Sequence, residues 1–413
     1  MITTIEIFIY IGIFFALYFS VFILTTAIEN KKRAYLKPTK QSFPLVSLVV
    51  PCFNEAHNVD LVVQSLLNLN YPKKQLEIII IDDGSKDTTF EKAKTWQKKY
   101  PAIIKTFSKP NGGKHTALNL GFSEAKGIIV GCVDADCAVE KNAILRMVNH
   151  FQDRETAIVV STIKILNPKN ILEGIQYVEY IISAFFKKVF GFLGSISVTS
   201  GPLTLFRASA LKELGPYKKA HQTEDLEIAF RAQSKNMKID YALNAIVYTY
   251  GEKTMKGLTK QRLRWRRGFL LNLRDYPGLL NLKKHGNLAF CLTYNAFGIL
   301  ISVSITAYSL FRLFSFVLLK INQAMLISFD FNPYLADFRF VLPHFNPKPT
   351  LILSSLCLAA MLGFLLWGKK LTLDTTRLKE KALFYVIFYA FFNAMWWVMA
   401  GWSAIFKKEL VWN

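Results

Sequence analysis

Residues 5–28, IEIFIYIGIFFALYFSVFILTTAI, constrain this chain more than any other stretch, because they carry Glu6 as their only charge. About 20 apolar residues suffice to cross a bilayer as a helix, so the run is long enough to span one. A cleavable signal peptide would carry basic residues before a shorter apolar core. Here no Lys or Arg precedes the run, and ENKKR follows it. Basic residues mark the cytoplasmic end of a span, so the chain should enter the cytoplasm after residue 28.

Apolar character returns late in the chain. Residues 288–312 form a second candidate span, with the run continuing to Leu319 as either a longer helix or an interfacial turn. Residues 350–367 and 382–406 form two more, and 271–286 read as an interfacial segment. The linker GKKLTLDTTRLKEK is rich in Lys and Arg and belongs on the cytoplasmic side. The loop 321–348, with fewer basic residues and several prolines and aromatics, should be extracytoplasmic. One span before the middle region and three after it place both termini outside, although Lys407 and Lys408 argue mildly against that parity.

Composition agrees. The 413 residues are 52% hydrophobic, yet 51 Lys+Arg against 29 Asp+Glu give a formal charge of +22. An oily, basic chain fits a membrane protein with basic cytoplasmic flanks. A nucleic-acid binder would share the charge but would leave the apolar runs unexplained. The five cysteines make no CxxC pair, and the six histidines no HExxH. Neither a zinc site nor a disulfide framework is expected, which suits a reducing, cytosol-facing protein.

Residues 45–270 read as a cytosolic α/β domain. Short β-branched runs (LVSLVVP, LEIIIIDDGS, IIKTFSK, GIIVGCVDADC) alternate with helical stretches near 56–69, 87–99 and 114–125. That alternation predicts a mainly parallel sheet covered on both faces, with ligands at the carboxyl ends of its strands.

The polar residues at those strand ends suggest chemistry. VVPCFNE brings Pro51, Asn54 and Glu55 to one turn, and IIIIDDGSKD brings Asp82 and Asp83 beside a glycine. Either acid could bind a base or ribose, and either equally ends a strand before a capped helix. NGGKHTALNLG opens a helix with glycines and Lys114, a suitable place for an anion. In VDADC, Asp134 and Asp136 stand two apart. Such clustered carboxylates repel unless a hard cation such as Mg²⁺ or Mn²⁺ joins them. HQTEDLEIAFRA places Thr223 as an N-cap with Glu224 and Asp225 in the first helical turn. Asp225 is the candidate general base. In QRLRWRRG, Gln261, Arg264 and Trp265 fall on one helix face. Arg264 suits a diphosphate, and Trp265 offers a platform for a sugar ring. Arg262, Arg266 and Arg267 point elsewhere, toward expected lipid headgroups.

In this order, with spans flanking them, the motifs resemble the processive family 2 glycosyltransferases, the group of cellulose, chitin, hyaluronan and poly-N-acetylglucosamine synthases. The resemblance runs from Val46 to Gly268, and QxxRW is its most specific part. It implies a GT-A (nucleotide-diphospho-sugar transferase) domain with transmembrane helices, and it implies roles. Asp82 or Asp83 would contact the uracil of a UDP-sugar, with Pro51 in the nucleotide-facing turn and Glu55 near the ribose. Lys114, Asp134, Gln261 and Arg264 would complete the nucleotide-sugar site. Asp134 and Asp136 would hold the divalent metal, Mg²⁺ or Mn²⁺, with Asp136 the more direct ligand. Asp225, with Glu224 beside it, would deprotonate the acceptor, Arg264 would stabilise the leaving UDP, and Trp265 would stack on the acceptor sugar. Ser200 and Gly201 lie in SVTSGPLTLFRASAL, which resembles the acceptor-facing stretch. Its SGPLTLF portion is nearest to poly-N-acetylglucosamine synthases, so N-acetylglucosamine leads as the sugar and glucose follows.

The preceding run, ILEGIQYVEYIISAFFKKVFGFLG, is amphipathic and carries Glu173, Glu179, Lys187 and Lys188. It is expected to be a membrane-facing or core helix rather than a span. Cys132 and Cys137 read as packing residues. The expected partners are a UDP-sugar, a growing polysaccharide, the bilayer and, optionally, a small membrane subunit, with no nucleic acid. The rival readings are a non-processive transferase acting on a lipid acceptor and an inactive channel or export component.

Overall fold

The computed structural model describes residues 4–35, 43–326, 349–377 and 379–406. Most of the expected 321–348 loop, together with Lys407 and Lys408, lies outside them.

The middle of the chain folds around one eight-stranded sheet in the order β3-β2-β1-β4-β7-β6-β8-β5. Strand β1 is Val46–Cys52, β2 Leu76–Asp82, β3 Ile104–Ser108 and β4 Ile129–Val133. β5 is Ala138–Val139, β6 Thr156–Ile165, β7 Leu203–Arg207 and β8 Lys238–Thr249. β1 pairs in parallel with both β2 and β4, and β2 with β3. β7 runs antiparallel between β4 and β6, and β8 pairs in parallel with β6. The runs read as strands from their β-branched content are strands, and Ile78 to Ile81 are fully buried. Burial on both faces explains why their sequence is continuously apolar instead of alternating.

Alternate residues feed two cores. Leu48, Val50, Ile78 and Ile80 pack with helices α2 (Val59–Leu67), α3 (Thr89–Lys99) and α5 (Ala143–His150). Val49, Ile79 and Ile81 pack with the other face. It carries α4 (Lys114–Glu124), α6 (Ile171–Phe192), α7 (Ala208–Leu214) and α8 (Glu224–Ser234). From β1 the chain builds outward through β2 and β3, then returns to place β4 on the other side of β1. The turns after β1 and β4 therefore flank a topological switch point, where open α/β sheets bind ligands.

Helix α6 resolves its two expected settings by filling both. Its start is fixed by a capping box: Asn170 Oδ1 accepts from the Glu173 backbone, and Glu173 Oε2 from that of Asn170. Ala184 packs into the sheet core, while Phe185 and Val189 meet Ile23, Ala27 and Phe364 of the apolar helices. α6 is thus the layer between the sheet and the candidate membrane region.

Among the described residues, three helices are long and apolar enough to cross a membrane. They are α1 (Thr4–Glu29), α10 (Leu282–Leu326) and α11 (Pro349–Leu371). The last candidate span is a bent pair at 47°, and counting it makes four. It comprises α12 (Lys379–Phe384), a π-helical turn at Tyr385–Tyr389 and α13 (Ala390–Ile405). α10 continues well past residue 312, so the longer-helix alternative holds. The expected interfacial segment 271–286 is divided. Helix α9 (Met255–Asp275) occupies its start and a 3-10 turn at Pro277–Leu280 follows. α10 then begins, with a break at Gly286.

The linker between α11 and α12 is clasped to the domain. Lys164 Nζ on β6 lies 2.9 Å from Asp374 Oδ2, and the Tyr177 hydroxyl of α6 donates to the same oxygen. Both side chains of the ion pair are nearly excluded from solvent, at 9% and 2% exposure. Removing one member of a buried pair strands the other charge, at about 3–5 kcal/mol. Asp374→Ala should therefore lower the temperature at which the detergent-solubilised protein loses its monodisperse elution, and Asp374→Asn should do so less.

Candidate active site

A cavity of about 640 Å³ opens beside the carboxyl end of β4. Its wall includes Lys114, Asp134, Asp136, Ser200, Gly201, Glu224, Asp225, Gln261, Arg264 and Trp265. Residues distant in sequence, from five chain segments, thus share one space.

Asp134 and Asp136 enter it because β4 ends at Val133 and the backbone then turns. Asp134 Oδ1 pairs with Lys114 Nζ at 2.5 Å. Although burial opposes its charge, Asp134 holds the Lys114 ammonium above its ordinary pKa. Asp136 has a weaker partner: its Oδ1 accepts from the Cys137 thiol at 3.2 Å. Burial, then the charge of Asp134, raises its carboxyl above the ordinary range. Cys137 is therefore more than a packing residue, since it orients that carboxylate.

Among the described residues, no three His, Cys, Asp or Glu side chains are placed to hold a metal. The donor set nevertheless fits Mg²⁺ or Mn²⁺, which commonly takes one or two carboxylates and completes its shell with phosphate oxygens and water. Asp136, raised by burial and then by its acidic neighbour and making no ion pair among the described residues, is the oxygen donor best suited to such an ion.

The Glu224–Asp225 turn is held by an unexpected device. Thr223 makes no side-chain cap to α8. Its hydroxyl donates to the Ala220 carbonyl and accepts from Asn272 Nδ2 at 2.9 Å. Just before it, Ala220, His221 and Gln222 all have left-handed φ, at 44°, 53° and 66°. Such backbone is costly without glycine and persists when its surroundings enforce it. Asn272 and Asp275 on α9 supply that enforcement, Asp275 Oδ2 lying 2.9 Å from His221 Nε2. On the other side, the Asp225 carbonyl accepts from the Thr199 backbone and hydroxyl at 3.1 and 2.7 Å, joining the Ser200–Gly201 segment to α8. Burial raises the Asp225 carboxyl above its ordinary pKa, with Lys114, Arg264 and Lys187 opposing.

On α9, Gln261, Arg264 and Trp265 share the cavity-facing side, as their spacing predicts. The lipid-headgroup expectation fails for Arg262 and Arg266, which are buried inside the protein. Arg262 Nη2 lies 2.5 Å from Glu179 Oε2. Arg266 donates to Asn393 and lies over the Trp396 and Trp397 rings. These partners come from distant helices, so helical spacing alone could not find them.

The upstream acids are placed differently from the expectation. Pro51, Glu55, Asp82 and Asp83 lie outside the cavity wall. Asp82 and Asp83 are 2% and 3% exposed. Asp82 accepts from the Ser108 hydroxyl at 2.9 Å and the Ser85 N–H at 3.3 Å. Asp83 accepts from Lys109 Nζ at 2.5 Å and from the Gly112 and Gly113 N–H groups at 3.1 and 2.8 Å. In this structure both carboxylates are engaged by the neighbouring loops. Gly113, at φ +89°, can present its N–H to Asp83 because it lacks a Cβ. Glu55 is raised by burial, against an Asn58 hydrogen bond, and feels the charges of Asp136 and Asp134.

The structure adds Lys187 to the site. It lines the cavity, and its Nζ donates to Ser200 Oγ at 3.2 Å. Burial pushes its amine down to about 8, with Asp225 opposing. The only sequence signal was a charged residue in an amphipathic run, which also suits a solvated helix face.

Residues 47–215 match the family model described as Glycosyl transferase family 2. Over this stretch the chain is similar to family 2 glycosyltransferases. The chain is 33% identical over 252 residues to a poly-beta-1,6-N-acetyl-D-glucosamine synthase of Staphylococcus epidermidis, covering 60% of each chain. It is 31% identical over 242 residues to the synthase of the same description from Staphylococcus aureus, covering 58% of each. The match thus spans less than two thirds of these relatives. The fold of the whole chain resembles a solved mannosyltransferase of Pyrobaculum calidifontis in complex with GDP-Man and Mn²⁺. That likeness has a TM-score of 0.54 and 15% identity, over 96% of this chain and 100% of the other. At that identity it is a likeness of fold, and it agrees with the GT-A expectation.

α9 can approach the Asp225 turn because residue 268 is glycine. A Cβ there would lie 2.3 Å from Thr223 Oγ1. Gly268→Ala must move α9 or Thr223, at about 1–3 kcal/mol for an overpacked contact. The expected result is a lower melting temperature, measured by calorimetry on the purified full-length protein.

Proposed function

We propose that the chain is a membrane-embedded inverting glycosyltransferase that polymerises a polysaccharide from a UDP-sugar. UDP-N-acetylglucosamine leads as the donor and UDP-glucose follows. The observation that carries this reading is the single cavity shared by Asp134, Asp136, Asp225, Arg264 and Trp265. The similarity to poly-beta-1,6-N-acetyl-D-glucosamine synthases supports a polysaccharide product. The apolar helices support a catalytic domain on the cytoplasmic face with the product passed outward.

In this reading the donor diphosphate lies near Lys114, Arg264 and the Asp134–Asp136 turn. Glu55 borders the nucleotide side, and the loops shaped by Asp82 and Asp83 frame it. The acceptor sugar stacks on Trp265, with Ser200, Gly201 and Lys187 beside it. Asp225 takes the proton of the acceptor hydroxyl as its oxygen attacks the anomeric carbon. The bond to the diphosphate breaks on the opposite face, inverting the configuration. Arg264 and Lys114 meet the charge that collects on the departing UDP. A divalent cation held by Asp136 and Asp134 would neutralise diphosphate charge when bound. Glu224, also raised by burial, lies next to the base and shapes its field.

The decisive experiment incubates the full-length protein in membranes with a panel of UDP-sugars and sizes the products. A polymer of N-acetylglucosamine is expected; a single-sugar product on a lipid would sink the polymerase reading. Asp225→Asn should lower transfer by about 10²–10⁴-fold with UDP binding retained, and full activity in that variant would remove Asp225 as the base. The raised carboxyl of Asp225 sets the sign of the pH dependence. The base must be ionised, so transfer should fall as pH drops through a midpoint above the ordinary aspartate range. Chelation should abolish transfer, and Mn²⁺ or Mg²⁺ should restore it in wild type but poorly in Asp136→Asn.

A further inference from the structure

Trp265 is not held by its own helix alone. The Arg262 guanidinium lies 4.3 Å from the centre of its ring, a cation–π contact. Arg262 is fully buried, and its Nε and Nη1 find no hydrogen-bond acceptor among the described residues. Its position therefore rests on the ring on one side and on Glu179 Oε2, at 2.5 Å, on the other. Glu179 belongs to α6, and its other oxygen accepts from the Tyr389 hydroxyl. Tyr389 closes the π-helical turn at which the last candidate span bends. Such turns interrupt regular helices and gather at functional sites.

Two further contacts bind the same surfaces. Arg266 donates to Asn393 of α13, and Trp396 Nε1 donates to Thr259 Oγ1 of α9 at 3.1 Å. The helix bearing the acceptor platform is thus keyed into the last span. The path from ring to span runs through charge-assisted bonds, which are stronger and more directional than apolar packing.

We propose that Glu179 and Tyr389 are positioning residues that act on the Trp265 platform through Arg262, so that the last membrane helix governs how long the acceptor stays engaged. The inference rests on the polymerase reading. A platform that loosens releases a growing chain early without altering the donor site. Product length should therefore respond more than the rate of UDP release.

The test uses the full-length protein in nanodiscs and measures UDP release, KM for the UDP-sugar, KM for a supplied short oligosaccharide, and product length. Loss of one charge-assisted hydrogen bond should make Tyr389→Phe products roughly fivefold shorter and raise the oligosaccharide KM to a similar degree. Its UDP release and donor KM should stay within about twofold of wild type. Glu179→Gln should act in the same direction. The double variant should be no worse than the stronger single one, because both act along one path. Unchanged length and oligosaccharide KM in Tyr389→Phe and Glu179→Gln would overturn the proposal. So would a parallel loss of donor affinity in Tyr389→Phe. A wild-type product of one sugar would instead overturn the polymerase reading, and the oligosaccharide KM would still decide the positioning path.

Discussion

The ion pair between the buried Arg262 and the partly exposed Glu179 is the contact on which much of this architecture converges. One partner sits on the helix that carries Gln261, Arg264 and Trp265, and the other on the helix between the sheet and the apolar helices. A charge withdrawn from water, as that of Arg262 is, is tolerable only while it faces an opposite charge. That condition ties α9 to α6. Because α6 also packs against both the sheet and the apolar helices, it gives the candidate site and the candidate membrane region a shared wall. Lys164 with Asp374 repeats the device at the α11–α12 linker.

The cavity combines two electrostatic regimes. Beside the end of β4, Lys114 is paired with Asp134 and held charged. Around Asp225, burial lowers the Lys187 amine and raises the Asp225 carboxyl. A carboxylate whose pKa is raised is a stronger base once ionised, which suits the proton removal proposed for Asp225. Asp136, next to Asp134, carries the repulsion that a cation would relieve. These differences arise from depth and neighbours, since the residue types alone are ordinary.

Much of the fold could be read directly. Continuous β-branched runs could bury on two faces only as central parallel strands, and the intervening helices followed from the alternation. The motif residues Asp134, Asp136, Asp225, Gln261, Arg264 and Trp265 do meet in one cavity. A strand-end acid looks the same in sequence whether it faces a ligand or closes a loop, so the loop partners of Asp82 and Asp83 could not be read there. Thr223 had the composition of an N-cap, yet Asn272 claimed its hydroxyl. The left-handed run from Ala220 to Gln222 had no glycine or asparagine to announce it.

The sequence by itself determined the α/β domain, the apolar helices around it and the chemistry its motifs can support, because period, hydropathy and residue type act locally. Tertiary structure alone decided which charges would face ligand, lipid or one another. Arg262 and Arg266 turned inward to Glu179 and Asn393, Lys187 entered the cavity, and Tyr389 reached the same carboxylate as Arg262. The physical reason is that a charge's role is set by its partners and its depth, and both arise only when residues far apart in the chain are brought together.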